Sequence, residues 1–148
     1  MSVDGVYFDT SIIASCYLAD SMSIRALSVR KRFSTPAPFT EFHRVEVTAA
    51  FMAKRFRREA TDVQVDTAFA HLDLDTQNGV WRLSDCPLPD VFERAEALSR
   101  QWGGVFGTRT LDTLHVAAAL TISVRDLATG DSRQAKLAQA VGLRVTLI

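Results

Sequence analysis

The polar and apolar positions of the 148-residue chain fall into short apolar runs separated by longer stretches of helical period. Val6-Tyr7-Phe8 is a β-prone run that stops at Asp9, and a helical pattern follows over about 11–19, so the two read as a buried strand feeding a helix. A second helix is expected over about 23–33, ended by Pro36 and Pro38, which cannot continue it. Thr40 reads as the N-cap of a long helix to about 58, and Thr61 or Asp62 opens another to 77. Asn78-Gly79 marks a turn before a strand at 80–83. Pro89 opens a helix expected to end at Gly103-Gly104, and the next spans about 110–122. A strand at 127–129, a helix at 132–141 closed by Gly142 and a strand at 145–148 complete the pattern. Alternation of strand and helix predicts an α/β sandwich with a mostly parallel sheet. The chain shows no repeat, low-complexity segment or linker, so 1–148 is expected to be one domain.

Composition narrows the class. Hydrophobic residues make up 47% and charged residues 23%, which excludes a disordered chain, and no apolar run reaches the roughly 18 residues of a membrane span. The N-terminal stretch lacks the basic patch of a secretory signal. Cys16 and Cys86 have neither CxxC nor Cys/His spacing, so no disulfide framework or zinc site is expected, and a reducing cytoplasm is the natural setting. The net charge is zero, which gives no global footprint for nucleic acid. Residues 1–61 nevertheless carry nine basic and six acidic side chains, with the excess in Arg30-Lys31-Arg32 and Lys54-Arg55-Phe56-Arg57-Arg58. These clusters read either as solvated helix faces or as phosphate contacts.

The acids carry the candidate chemistry. In an open parallel sheet ligands bind beyond the carboxyl ends of the strands, where Asp9 and Asp131 both fall. Each also precedes a helix, so either residue taken alone reads first as an N-cap. Glu46 shares a helix stripe with Phe42, Ala49, Ala50 and Ala53, where an unpaired charge is costly. A buried partner such as Arg44 or His43, a place at the stripe's edge, or a bound cation would explain it. Asp112 lies in the first turn of the Ala-rich helix, favoured there by the helix dipole, and His115 one turn on reads as a core histidine or a ligand. Four carboxylates at one sheet edge would repel unless cations lay between them, and Mg²⁺ or Mn²⁺ takes such oxygen ligands. Two such ions can drive phosphodiester hydrolysis by water. Nucleotide-binding loops of the GxxxxGK[ST] or GxGxxG type are absent. Ser11 stands where a haloacid-dehalogenase-like phosphatase would need a second aspartate, and Lys136 lies in the last helix rather than where a receiver domain needs its lysine. Trp81 and Trp102 read as packing residues; Phe51, Phe56 and Phe69 read as core or interface.

The ordered set Tyr7-Phe8-Asp9-Thr10-Ser11, Phe39-Thr40 leading to Arg44-Val45-Glu46, Arg109-Thr110-Leu111-Asp112-Thr113-Leu114-His115-Val116-Ala117-Ala118-Ala119, and Thr129-Gly130-Asp131-Ser132-Arg133-Gln134 resembles the PIN-domain family. Within it, the chain is similar to VapC-type toxins of toxin–antitoxin pairs. The resemblance runs through essentially the whole chain. It implies a three-layer α/β/α sandwich and a Mg²⁺- or Mn²⁺-dependent endoribonuclease. Asp9, Glu46, Asp112 and Asp131 would be the catalytic, metal-holding acids, with Ser11 and Thr129 as supporting hydroxyls. It also implies a homodimer and a small antitoxin partner. Gly130 departs from the pattern, since a larger residue commonly precedes that aspartate. Arg109 and Arg133, each close to a site acid, would contact the scissile phosphate or steady Asp112 and Asp131. The competing reading is a non-catalytic α/β module that docks a protein or RNA, with the acids as caps.

Overall fold

The computed structural model describes residues 3–33 and 36–148; Met1 and Ser2, part of the stretch read for a targeting signal, lie outside it, as do Ser34 and Thr35. Its first element, β1 (Val3–Phe8), pairs in parallel with β4 (Val124–Thr129), placing Tyr7 beside Leu127 and Phe8 beside Ala128. β5 (Arg144–Leu147) lies on the far side of β4, giving the order β1-β4-β5. Side chains alternate across this sheet. Val6, Phe8 and Ala128 enter one core, with α1 (Thr10–Tyr17), α2 (Ser23–Arg32), α3 (Glu41–Phe56) and α4 (Asp62–Gln77). Tyr7, Val124 and Leu127 enter a second, with α5 (Leu88–Phe106), α6 (Thr110–Thr121) and α7 (Ser132–Ala140). The described residues thus form a mixed α/β fold of seven helices and two parallel sheets.

The second sheet was not expected in full. β2 (Ala37–Phe39) pairs in parallel with β3 (Trp81–Leu83) in the segment where prolines predicted only a helix stop. Ala37 donates its N–H to Val80 O at 3.1 Å, so the alternate positions 36 and 38 turn the other way, toward β1. Both are proline and have no N–H to give. The two sheets therefore meet without a shared ladder. At that junction Gly5 (φ 132°) lets β1 approach: a Cβ there would stand 3.2 Å from Pro36 O and 3.4 Å from Pro38 Cδ.

Most helices match expectation, and their caps explain why. Thr40 and Thr61 both form capping boxes, with His43 and Gln64 as the returning side chains. The helix expected to end at Gly103-Gly104 continues through both glycines to Phe106, where Trp102 stacks on Phe106 at 5.5 Å between ring centres. Gly107 (φ 64°) ends it, because the left-handed residue is what a C-cap requires and a glycine inside a helix costs only about 1 kcal/mol. Among the described residues no helix is long and apolar enough to cross a membrane.

Candidate functional site

β1 and β4 end side by side, with Asp9 N–H donating to Ala128 O at 3.0 Å. Each strand then turns into a helix through an acid. Asp9 caps α1: its Oδ1 accepts from Ile12 N–H at 3.0 Å and from the Ser11 hydroxyl at 2.8 Å. Its Oδ2 accepts from the Thr129 hydroxyl at 2.6 Å. Asp131 caps α7, with Oδ1 accepting from the N–H groups of Arg133 (2.8 Å) and Gln134 (3.3 Å). Thr129 ties the two acids together, because its oxygen also accepts the N–H of Asp131 at 3.0 Å. The cap reading of both aspartates is therefore correct as local structure. It leaves Asp9 Oδ2 on a hydroxyl and Asp131 Oδ2 on guanidinium groups.

Glu46 reaches the same place from α3. Its partner is neither Arg44 nor His43. Nε2 of His115 and the Thr10 hydroxyl both meet Glu46 Oε2. His43 is turned to the core, donating from Nε2 to Phe8 O at 2.7 Å while its Nδ1 accepts the Thr40 N–H at 2.9 Å. Burial alone would raise the Glu46 carboxyl; the hydrogen bonds from His115 and Thr10 outweigh it and hold the group below the ordinary glutamate range. Glu46 is thus a partly buried carboxylate that stays ionised.

Asp112 lies in the first turn of α6, its Oδ2 accepting from the N–H (3.4 Å) and Nε (3.2 Å) of Arg109. The same guanidinium reaches Asp131 Oδ2 at 3.5 Å, so Arg109 bridges two acids. Arg133 lies 3.6 Å from Asp131 Oδ2 and outside the cleft lining. Burial would raise Asp131, but the two capping N–H groups and Arg133 prevail and lower it.

Asp9, Glu46, Asp112 and Asp131 line one cleft of about 760 Å³, together with Thr10, Ser11, Arg109 and His115. The four come from four separate places in the sequence, and the fold brings them to one sheet edge. Their donor atoms are all carboxylate oxygens, the chemistry that suits a hard divalent cation. Among the described residues no three His, Cys, Asp or Glu side chains are closely enough grouped to hold a metal ion. Positive charge between Asp112 and Asp131 is supplied by Arg109.

Three further lining residues, Thr10, Met22 and Gln134, were given no role from the sequence. Thr10 adjoins Asp9, whereas Met22 adjoins no residue already singled out. Gln134 donates from Nε2 to Asp112 O at 3.2 Å. The basic clusters are largely committed elsewhere. Arg30 donates to Phe33 O (2.6 Å) and Val80 O (3.1 Å), with its guanidinium carbon 5.0 Å from the Trp81 ring centre, so it belongs to the core wall. Lys54, Arg55 and Arg57 pair with Asp20, Asp62 and Glu59. Phe51 is fully buried, whereas Phe56 is 88% exposed and contributes nothing to the core. Cys16 and Cys86 are free thiols, and burial pushes Cys16 up to about 11. No protein-family model matches the chain, and no curated protein matches it.

Proposed function

We propose that the chain is a metal-dependent endoribonuclease built on a three-layer α/β/α sandwich of the PIN-domain kind, acting in the cytoplasm as the toxin of a toxin–antitoxin pair. One observation carries this reading: Asp9, Glu46, Asp112 and Asp131 line a single cleft at the carboxyl ends of parallel strands. Asp9, Glu46, Asp112 and Asp131 would hold Mg²⁺ or Mn²⁺, which when bound supplies the Lewis acidity for attack of water on a phosphodiester.

The chain's own residues prepare that chemistry. Ser11 and Thr129 donate to opposite oxygens of Asp9 and fix the plane of its carboxylate. His115 and Thr10 both meet one oxygen of Glu46, Oε2, and leave Oε1 to the cleft. Arg109, 68% exposed at the cleft mouth, has a guanidinium suited to a phosphodiester oxygen pair once it leaves Asp112 and Asp131. Arg133 assists from outside the lining. The partners in this reading are RNA, a small antitoxin and a second copy of the chain. Val45, Met52 and Phe56, exposed along α3, offer apolar surface for a protein contact.

The test is cleavage of total cellular RNA by the purified chain with Mg²⁺, Mn²⁺ or EDTA, beside Asp9→Asn. Asparagine caps a helix as well as aspartate does, so this variant removes charge while keeping the acceptor for Ile12 N–H. Discrete, metal-requiring fragments that vanish in Asp9→Asn are expected. A second reading, a non-catalytic module binding protein or RNA, is favoured by the caps that Asp9 and Asp131 form and by the Arg109 bridge. It would show as partner binding indifferent to EDTA and to Asp9→Asn, with no cleavage.

A further inference from the structure

The cleft has a second wall. Opposite in character to the acids, Met22, Ala49, Ala50 and Leu111 line it with apolar atoms. Met22 precedes α2 in a helical backbone conformation and makes no side-chain capping bond; Asp20 holds the helix start, its O accepting the Ser23 N–H at 3.2 Å. The Met22 side chain is therefore free of a capping role and lines the cleft.

Gly130 shows where that side chain goes. A Cβ at position 130 would stand 2.6 Å from Met22 Cε, closer than real contacts allow. Gly130 does not have the positive φ that demands glycine, so the missing side chain serves space rather than backbone conformation. The thioether of Met22 takes that space, directly beside Asp131. Its backbone is fixed in turn: Met22 N–H donates to Asp20 Oδ1 at 2.8 Å, and Asp20 Oδ2 is held by Lys54 (2.9 Å) and Ser15 (2.8 Å). An unbranched, polarisable side chain on a fixed mount therefore lines the cleft along with Ala49 and Ala50.

We propose that Met22, lying over Gly130, is the seat of an unstacked nucleobase beside the phosphate-handling acids, and so helps to set which base is accepted. This rests on the nuclease reading for the identity of the ligand. Methionine sulfur and methyl groups make favourable contacts with aromatic rings, worth about 0.3–1.5 kcal/mol. A cleft of about 760 Å³ has room for a nucleotide. Recognition of a splayed-out base by apolar contact belongs to single-stranded rather than duplex RNA.

Met22 reports on itself. The chain has three methionines, Met1, Met22 and Met52, so methyl-¹³C-methionine NMR gives three signals, with Met22 assigned by its loss in Met22→Leu. The full chain is titrated with each of the four ribonucleoside 5′-monophosphates, with ribose 5-phosphate as the base-free control and N-acetyltryptophanamide as a protein-like ring. The Met22 methyl is expected to move upfield with at least one nucleotide and to stay still with ribose 5-phosphate, while Met52 is unmoved. Met22→Ala is expected to weaken that nucleotide's binding several-fold, up to about tenfold. An unmoved Met22, an equal response to ribose 5-phosphate, or a response to the tryptophan amide alone would overturn the seat. The assay needs no cleavage: a nucleotide-induced shift in a chain that cuts no RNA would refute the nuclease and leave the base seat, and cleavage with a silent Met22 would do the reverse.

Discussion

The hydroxyl of Tyr7 lies 2.6 Å from Nδ1 of His115, with both side chains buried. Burial pushes the Tyr7 phenol well above its usual range, so it keeps its proton and stays a neutral hydroxyl against Nδ1. The other ring nitrogen, Nε2, meets Glu46. A carboxylate in the cleft is thus aimed by a phenol in the core. Tyr7→Phe leaves Nδ1 buried without a partner, which is expected to cost about 1–3 kcal/mol in urea unfolding. RNA cleavage under the proposed function is expected to fall further than that loss of folded protein explains. Unfolding free energy matching wild type would mean that Nδ1 finds another partner.

Thr129 is fully buried and serves both strand-end aspartates, donating to Asp9 and accepting from the N–H of Asp131. Thr129→Val keeps the shape and removes both bonds. The expected cost is about 1–3 kcal/mol, measured by chemical denaturation, since a carboxylate oxygen and an N–H each lose a partner. Thr129→Ser, which keeps the hydroxyl, is expected to recover most of it.

Arg109 spans Asp112 and Asp131 from an exposed position, which makes it a resident cation between two proposed metal-holding groups. Removing it in Arg109→Ala takes the bridging charge from between the acids and leaves Arg133 beside Asp131 alone. Mn²⁺ binding by calorimetry is expected to tighten several-fold, while thermal stability stays close to wild type because exposed ion pairs contribute little. Unchanged Mn²⁺ affinity would place any cation away from Asp112 and Asp131.

Local signals made some of these features legible from residue order, and long-range ones did not. Asp9 and Asp131 could be placed because a strand end followed by a helix cap fixes both the position and the sheet edge. Glu46 stood out as a carboxylate on an apolar stripe, but its partner could not be read, because His115 lies 69 residues away and meets it only when α3 and α6 come together. Nearby Arg44 and His43 were the wrong candidates for that reason. β2 was hidden by Pro36 and Pro38, the residues that keep it off the β1 ladder. Arg30 sat in a run of basic residues, yet only the packed structure turns it onto Trp81. Met22 carried no local signal, because only the packed fold lays it against Gly130, 108 residues on.

His43 gives the fold an acid sensitivity separate from the carboxylates. Burial, and then repulsion from His115, push it down to about 3, against the opposing bond to Phe8 O. Below about pH 6.5 the unfolded chain takes up a proton at this position that the folded chain refuses until about pH 3. The unfolded state then holds more protons, so stability falls as pH is lowered through that window and is flat above it with respect to this group. The slope from one such group is up to about 1.4 kcal/mol per pH unit. Urea unfolding between pH 7.5 and pH 4, compared with His43→Gln, isolates it. The variant is expected to be less stable at neutral pH, having disturbed the bonds to Thr40 and Phe8, and to lose stability less steeply toward acid. Parallel slopes for the two proteins would mean that His43 takes up its proton in the folded state as readily as in the unfolded one.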